Sequence, residues 1–317
     1  MTPARGGSLT IPAVSTVVLT GATGMIGGAL VSELVGRGDE VVVLARDPAR
    51  ASQALGPAVR TLAWPDPTRP PPIAVLDGAD AVINLVGEPI AQRWSAAAKQ
   101  RIRDSRVLGT RNLVQAIAAA ERPPRVLVSG SATGYYGPHG AERLDEDAAP
   151  GSDFLASVVR DWEAEAGAAT ALGLRVAIAR TGPVLAPSGG ALAKMLPPFK
   201  AGVGGPVGGG RQYFPWIHLA DEVGALIHCL DSEAASGPLN LTAPEPVTNA
   251  ELSHALGRVL HRPAVMPVPA SALRLLYGEM SVIVLTGQRA IPRRLSEQGY
   301  AFRQPALEPA LADVLGR

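Results

Sequence analysis

Three glycines, Gly21, Gly24 and Gly27, recur every third residue in the run Thr20-Gly21-Ala22-Thr23-Gly24-Met25-Ile26-Gly27. Glycine carries no reactive group, so the chemistry this spacing can do belongs to the backbone. Gly21 permits a tight turn, Gly24 lets the main chain approach a pyrophosphate, and Gly27 lets a following helix pack closely. A second chemical signal lies 19 residues after Gly27, where Arg46 precedes Asp47. A guanidinium suits bidentate phosphate contact, whereas an acidic residue at this point accepts a bond from a ribose 2′-hydroxyl. Arg46 therefore favours a 2′-phosphate, that is NADP(H) over NAD. Asp47 would repel that phosphate if it pointed inward.

These groups work only if the surrounding elements place them. The apolar run Val17 to Leu19 reads as a buried strand, and Ile26, Leu30, Val31 and Leu34 give the next segment a helical face. Strand, glycine turn and helix form the context in which a dinucleotide motif is credible, with phosphates on the free amides of the helix N-terminus. Strand candidates follow at 40–45, 58–63, 80–86, 125–130 and 174–180, alternating with helices at 24–37, 94–120 and 153–172. This predicts an α/β fold, a Rossmann-like doubly wound parallel sheet covered on both faces. The strand Ala81 to Gly87 delivers Leu85, Val86 and Gly87 to its carboxyl edge, where ligands bind in such sheets. Ser129 reaches the same edge from the next strand. The pattern changes after residue 182. The expected organisation is a tail at 1–13, a nucleotide-binding domain at 14–182 and a smaller C-terminal substrate lobe at 183–317. Residues 202–210 hold six glycines and read as a flexible lid. Trp64, just past the third strand, is either close to the adenine or simply packed.

Composition narrows the function classes. The 317 residues carry 29 basic and 28 acidic side chains, so net charge gives no argument for nucleic acid or an anionic membrane. There is no run of 18 apolar residues and no signal-peptide pattern. The single cysteine, Cys229, excludes an intramolecular disulfide and fits a reducing, cytoplasmic setting. It falls in a helical pattern and reads as a core residue. His139, His228, His254 and His261 have no ligand spacing, so no metal site is expected.

Several motifs together resemble the extended short-chain dehydrogenase/reductase superfamily, and within it the "epimerase family" branch labelled cell-division-inhibitor-like. They are the glycine turn, Asn84-Leu85-Val86-Gly87-Glu88-Pro89-Ile90, Arg103 to Val107, Gly134-Tyr135-Tyr136-Gly137, Trp162 to Ala166, Arg180-Thr181-Gly182, Gly189 to Leu192, Trp216-Ile217-His218 and Gly287-Gln288-Arg289. The resemblance spans about residues 15 to 310, including a characteristic C-terminal segment near 263–310. It implies an NADP-binding core, to which Arg180 and Gly182 contribute, and a substrate of unknown identity. It also implies possible dimerisation through the helices at 94–120 and 153–172.

The superfamily's hydride chemistry uses a Tyr-x-x-x-Lys pair, and here the resemblance breaks. Aligning Glu163 with the family's helix glutamate puts Leu155 at the tyrosine position and Val159 at the lysine position. The usual asparagine on the preceding helix is replaced by Arg106. The hydroxyls left near the sheet edge are Ser129, Ser131, Thr133, Tyr135 and Tyr136. The working assignment is that Ser131 orients a substrate oxygen, Tyr135 or Tyr136 serves as the acid, and Arg106 lowers that phenol's ordinary pKa of about 10. The alternative is that both tyrosines only pack. His218 is read as structural, with Asp221 in the first turn of the helix it precedes. Three functions compete: an NADP-dependent oxidoreductase on a small carbonyl or alcohol, a non-catalytic NADP(H) sensor acting through a protein partner, and a nucleotide-sugar epimerase.

Overall fold

The computed structural model describes residues 15–317, so the predicted tail at 1–13 lies outside the described residues. Seven parallel strands form one sheet: β1 (Thr16–Thr20), β2 (Glu40–Ala45), β3 (Arg60–Ala63), β4 (Ala81–Asn84), β5 (Val126–Ala132), β6 (Arg175–Thr181) and β7 (Gly237–Leu241). Their spatial order is β7-β6-β5-β4-β1-β2-β3. The order reverses at β1/β4, and the crevice beyond the carboxyl ends at such a switch point is where ligands bind. Val41, Val42, Val43 and Leu44 are all buried, as a strand covered on both faces requires.

Helix α1 (Met25–Gly36) and helix α6 (Leu219–Asp231) cover one face, where Leu30, Leu34, Leu226 and Cys229 join Val17, Leu19 and Ala177 in one core. Each fully buried leucine there contributes roughly 1.5–3 kcal/mol. Cys229 is a core residue, and burial pushes its thiol up to about 12. The other face is covered by α3 (Ala96–Ala118), which buries Leu113 and Ile117 against Val18, Val82 and Leu127. Trp64 belongs to this second core, 4% exposed, with Nε1 donating to the Arg69 carbonyl at 2.8 Å. The packed reading of Trp64 holds. Helix α4 (Phe154–Gly167) lies against α3 and opens on Asp153, whose carboxylate accepts from Ala156 N at 2.8 Å.

The chain crosses 182 and then returns. Strand β7 completes the sheet beside β6, and α6 covers it, so residues 219–241 belong to the layer that the sequence assigned to 14–182. The rest builds a lobe around Trp216 from α5 (Gly190–Lys200), α7 (Asn249–Leu260) and α8 (Leu307–Leu315). His218 caps α6, its Nδ1 accepting from Ala220 N at 3.1 Å, and Asp221 accepts the amides of Arg303 and Gln304. Both roles are structural.

The glycine-rich segment at 202–210 is not a free lid. A Cβ on Gly205 would come 2.2 Å from the Met266 carbonyl, and one on Gly204 would come 2.5 Å from the Phe199 ring. Gly208 N donates to Val268 O at 2.8 Å and Val207 N to Asn249 Oδ1 at 2.7 Å. Gly204 and Gly205 thus serve close packing, against Phe199 and Met266.

Candidate active site

The glycine turn has the geometry its spacing implied. Gly21 has φ +71°, and a Cβ there would stand 2.5 Å from the Leu85 carbonyl. A Cβ on Gly27 would lie 2.3 Å from Gly21 O, inside contact distance. Ala22 is buried, Thr23 and Gly24 are exposed, and Met25 and Ile26 are half-buried. Gly24 is the N-cap of α1 and offers no side chain to its first amides. An uncapped helix start beside a glycine turn is a cradle for an anion.

Beneath this cradle lies a polar chain that the sequence analysis missed. Leu85 N and Val86 N both donate to Thr20 Oγ1 at 3.1 Å, and that hydroxyl donates to Asn84 Oδ1 at 2.7 Å. Asn84 Nδ2 donates to Thr110 Oγ1 at 2.9 Å, which also accepts from Trp162 Nε1 at 2.8 Å. Thr20, Asn84 and Thr110 are completely buried. The relay fixes the β4 exit, so Leu85, Val86 and Gly87 run beside the turn with fixed backbone directions. The readable hint was a hydroxyl or amide at the last position of two strands that otherwise carry apolar residues.

Arg46 is exposed at the end of β2, and its guanidinium has no ion pair or hydrogen bond among the described residues. Asp47 does not point inward. Its carboxylate caps α2 (Pro48–Leu55) by accepting from Arg50 N at 3.0 Å.

The proposed catalytic set is rearranged. Parallel register places Ser131, Arg180 and Asn240 side by side on β5, β6 and β7. Ser131 Oγ donates to Glu163 Oε1 at 2.5 Å. Glu163 in turn receives Arg180 through Nε and Nη2, both at 2.8 Å. Arg180 is 2% exposed, and Nη1 donates to Tyr136 Oη and to the Glu146 carbonyl, each at 3.1 Å. Its assignment to the cofactor is therefore corrected: its donors are engaged inside the protein. Gly182 also has an internal role, since a Cβ there would meet the Pro215 carbonyl at 1.9 Å. Ser129 is completely buried, its hydroxyl 3.2 Å from Gly130 O, and does not open onto the edge.

Tyr136 cannot be the acid. It is fully buried, donates to Asn240 Oδ1 at 2.7 Å, and burial pushes its phenol up to about 12. Arg106 is not the cation beside the tyrosines. Its Nη1 donates to the carbonyls of Glu88 at 2.9 Å and Ile102 at 3.2 Å, its guanidinium lies over the Trp162 ring, and a Cβ on Gly87 would press on it at 2.9 Å. Burial lowers it to about 10. Arg106 braces residues 87–88, whereas Arg180 stacks 3.5 Å from the Tyr135 ring centroid. Tyr135 is half-buried, and its hydroxyl has no hydrogen-bond partner among the described residues. It is the one phenol of the pair left for chemistry. At the superfamily's acid/base positions, Val159 is 4% exposed and Leu155 is half-buried, lining a cavity of about 220 Å3.

Among the described residues no group of three His, Cys, Asp or Glu side chains is placed to hold a metal, and no helix is long and apolar enough to cross a membrane.

Comparison with known proteins identifies the family. Residues 17–241 match the NAD dependent epimerase/dehydratase family, and residues 268–314 match a domain of unknown function, DUF1731. The chain is 40% identical to epimerase family protein SDR39U1 of Bos taurus, over 94% of this chain and 99% of that one. It is 42% identical to epimerase family protein MT2273 of Mycobacterium tuberculosis, over 94% and 96%. The crystal structure of human SDR39U1 (isoform 2) with NADPH superposes with a TM-score of 0.84 at 35% identity, covering 95% of this chain and 99% of that one. The chain belongs to the NAD-dependent epimerase/dehydratase family, with a DUF1731 domain at its C-terminal end.

Proposed function

We propose that this protein binds NADP(H) and acts as an oxidoreductase on a small carbonyl or alcohol, with a non-standard acid/base set. The observation that carries the cofactor is the uncapped start of α1 behind Gly21, Gly24 and Gly27, together with the free guanidinium of Arg46. In this reading the amides of residues 22–27 hold the pyrophosphate, Arg46 pairs with the 2′-phosphate, and the rigid Leu85–Gly87 backbone flanks the nucleoside. The human relative crystallised with NADPH supports the same choice. The nicotinamide, when bound, supplies or accepts the hydride.

The chain's own contribution is positioning and one proton. Ser131 is held by Glu163, so its hydrogen already points at a carboxylate. It can orient a substrate donor but is a poor donor itself. Both Glu163 oxygens are engaged by Arg180. Tyr135 remains as proton donor, with the Arg180 guanidinium stacked on its ring. A sensor reading rests on a different observation, the apolar pair Leu155 and Val159. A homodimer through α3 and α4 stays a proposal, to be checked by light scattering.

Fluorescence titration with NADPH and NADH, on wild type and Arg46→Ala, tests the cofactor. Tight NADPH binding weakened by Arg46→Ala is expected. Absence of binding by either nucleotide would overturn the proposal. NADPH oxidation by candidate carbonyls, lost in Tyr135→Phe, tests the chemistry; bound NADPH that no carbonyl consumes would favour the sensor.

A further inference from the structure

Leu155, where the superfamily carries its tyrosine, opens onto a cavity built across the two parts of the molecule. Trp94, Lys99, Asp153 and Phe154 come from the nucleotide layer, and Glu279 and Val282 come from the C-terminal segment. The Trp94 and Phe154 rings meet edge to face, 5.2 Å between centroids, and Trp94 Nε1 donates to Ile90 O at 3.0 Å, which sets the indole's direction. The Lys99 ammonium lies 5.2 Å from the Phe154 centroid and 6.0 Å from that of Trp94. It is ion-paired with Glu279.

The two carboxylates near Lys99 differ in their ties. Asp153 is held on the first turn of α4 through Ala156 N, where the helix N-terminus offsets its charge. Glu279 is 63% exposed while Lys99 is 29% exposed, so a carboxylate reaches in from solvent to lie on an inner cation. An exposed pair of this kind contributes little. A competing carboxylate that also buries an apolar body has the advantage.

We infer that this cavity is the substrate subsite and that it takes a small carboxylic acid. The apolar body lies among Trp94, Phe154, Leu155 and Val282, and the carboxylate replaces that of Glu279 on Lys99. At about 220 Å3 the cavity is below the roughly 300–1,000 Å3 of drug-sized sites, so the ligand is small. The assignment as a substrate site rests on the NADP(H) oxidoreductase reading. The carboxylate selectivity does not.

Isothermal titration calorimetry of the full chain, with and without saturating NADPH, tests it with benzoate and the neutral benzamide. Benzoate is expected to bind at least about tenfold more tightly than benzamide. Glu279→Gln should tighten benzoate severalfold and leave benzamide unchanged. Lys99→Met, which keeps an unbranched stem on the aromatic rings, should erase the preference. Equal binding of the two probes, or no heat from benzoate in either wild type or Glu279→Gln, would overturn the inference. NADPH titrations of the same proteins separate the two readings. Benzoate selectivity without NADPH binding removes the oxidoreductase and keeps the anion site, and the reverse removes the anion site alone.

Discussion

Two corners of the sheet's carboxyl edge treat polar groups in opposite ways. At the β1–α1 turn, glycines hold the backbone open and leave the first amides of α1 without a side-chain cap. At the β5–β6 corner, Ser131, Glu163, Arg180, Tyr136 and Asn240 bond to one another, and little is left over for a ligand. The first corner is arranged to receive a partner. The second has become its own partner, which makes it a structural post in the place where the superfamily keeps its catalytic groups.

The largest expected effect breaks that post. Glu163→Ala leaves the 2%-exposed Arg180 without its carboxylate and should cost about 3–5 kcal/mol, read from urea unfolding midpoints. A cost below about 1 kcal/mol would mean the pair is not truly buried. Next, Gly27→Ala forces a Cβ to within 2.3 Å of Gly21 O. It should cost roughly 1–3 kcal/mol and abolish NADPH binding, as seen by calorimetry and cofactor fluorescence. The tyrosines sharpen the contrast. Tyr136→Phe should lower stability by about 1–2 kcal/mol by stranding Asn240, whereas Tyr135→Phe should leave stability within about 0.5 kcal/mol and affect only turnover. Equal stability losses would erase the distinction between the two phenols. On the open corner, Arg46→Ala should weaken NADPH roughly ten- to hundredfold and leave NADH unchanged.

A separate effect concerns pH. Glu222 is fully buried behind β6, its Oε1 accepting from Thr181 Oγ1 at 2.8 Å, and burial pushes its carboxyl up to about 8 from an ordinary 4.5. Between those values the folded state keeps a proton that the unfolded chain has released. Stability therefore falls as pH rises from about 4.5 to about 8 and levels off beyond. Melting temperatures should drop by a few degrees over that range in wild type and by less in Glu222→Gln. Glu146, raised by burial too, leaves a residual slope in the variant. Parallel curves would show that Glu222 is ionised in the fold.

Why one corner was legible and the other was not follows from what carries each. The work of Gly21, Gly24 and Gly27 is done by backbone within eight residues, so spacing alone specifies it. Six of the seven sheet strands were readable for a similar reason, since β1, β2, β4, β5 and β6 each hold an apolar run and β3 falls in the alternation between them. The fate of Tyr136 is decided by Asn240, 104 residues away, and that of Arg106 by the carbonyls of Glu88 and Ile102. The Thr20–Asn84–Thr110–Trp162 relay spans four elements, and its only local trace is the polar residue that ends β1 and β4. Strand β7 was missed because Gly237-Pro238 opens it, and the glycines at 204 and 205 passed for mobility although they are contact surfaces.

The bonds of Asn240 also bear on the order in which the molecule can be made. Its side chain donates to Ile291 O at 2.9 Å, and its amide donates to Glu146, which also accepts from Arg294 N. The β5–β6 corner is thus completed by residues some 110 to 160 positions later in the chain. On a ribosome, the first 182 residues can emerge and begin to collapse while Tyr136 and Arg180 still lack their last partners. The corner closes only when the C-terminal segment has been released, so a chain cut short before residue 291 would carry an intact nucleotide cradle beside an unfinished site.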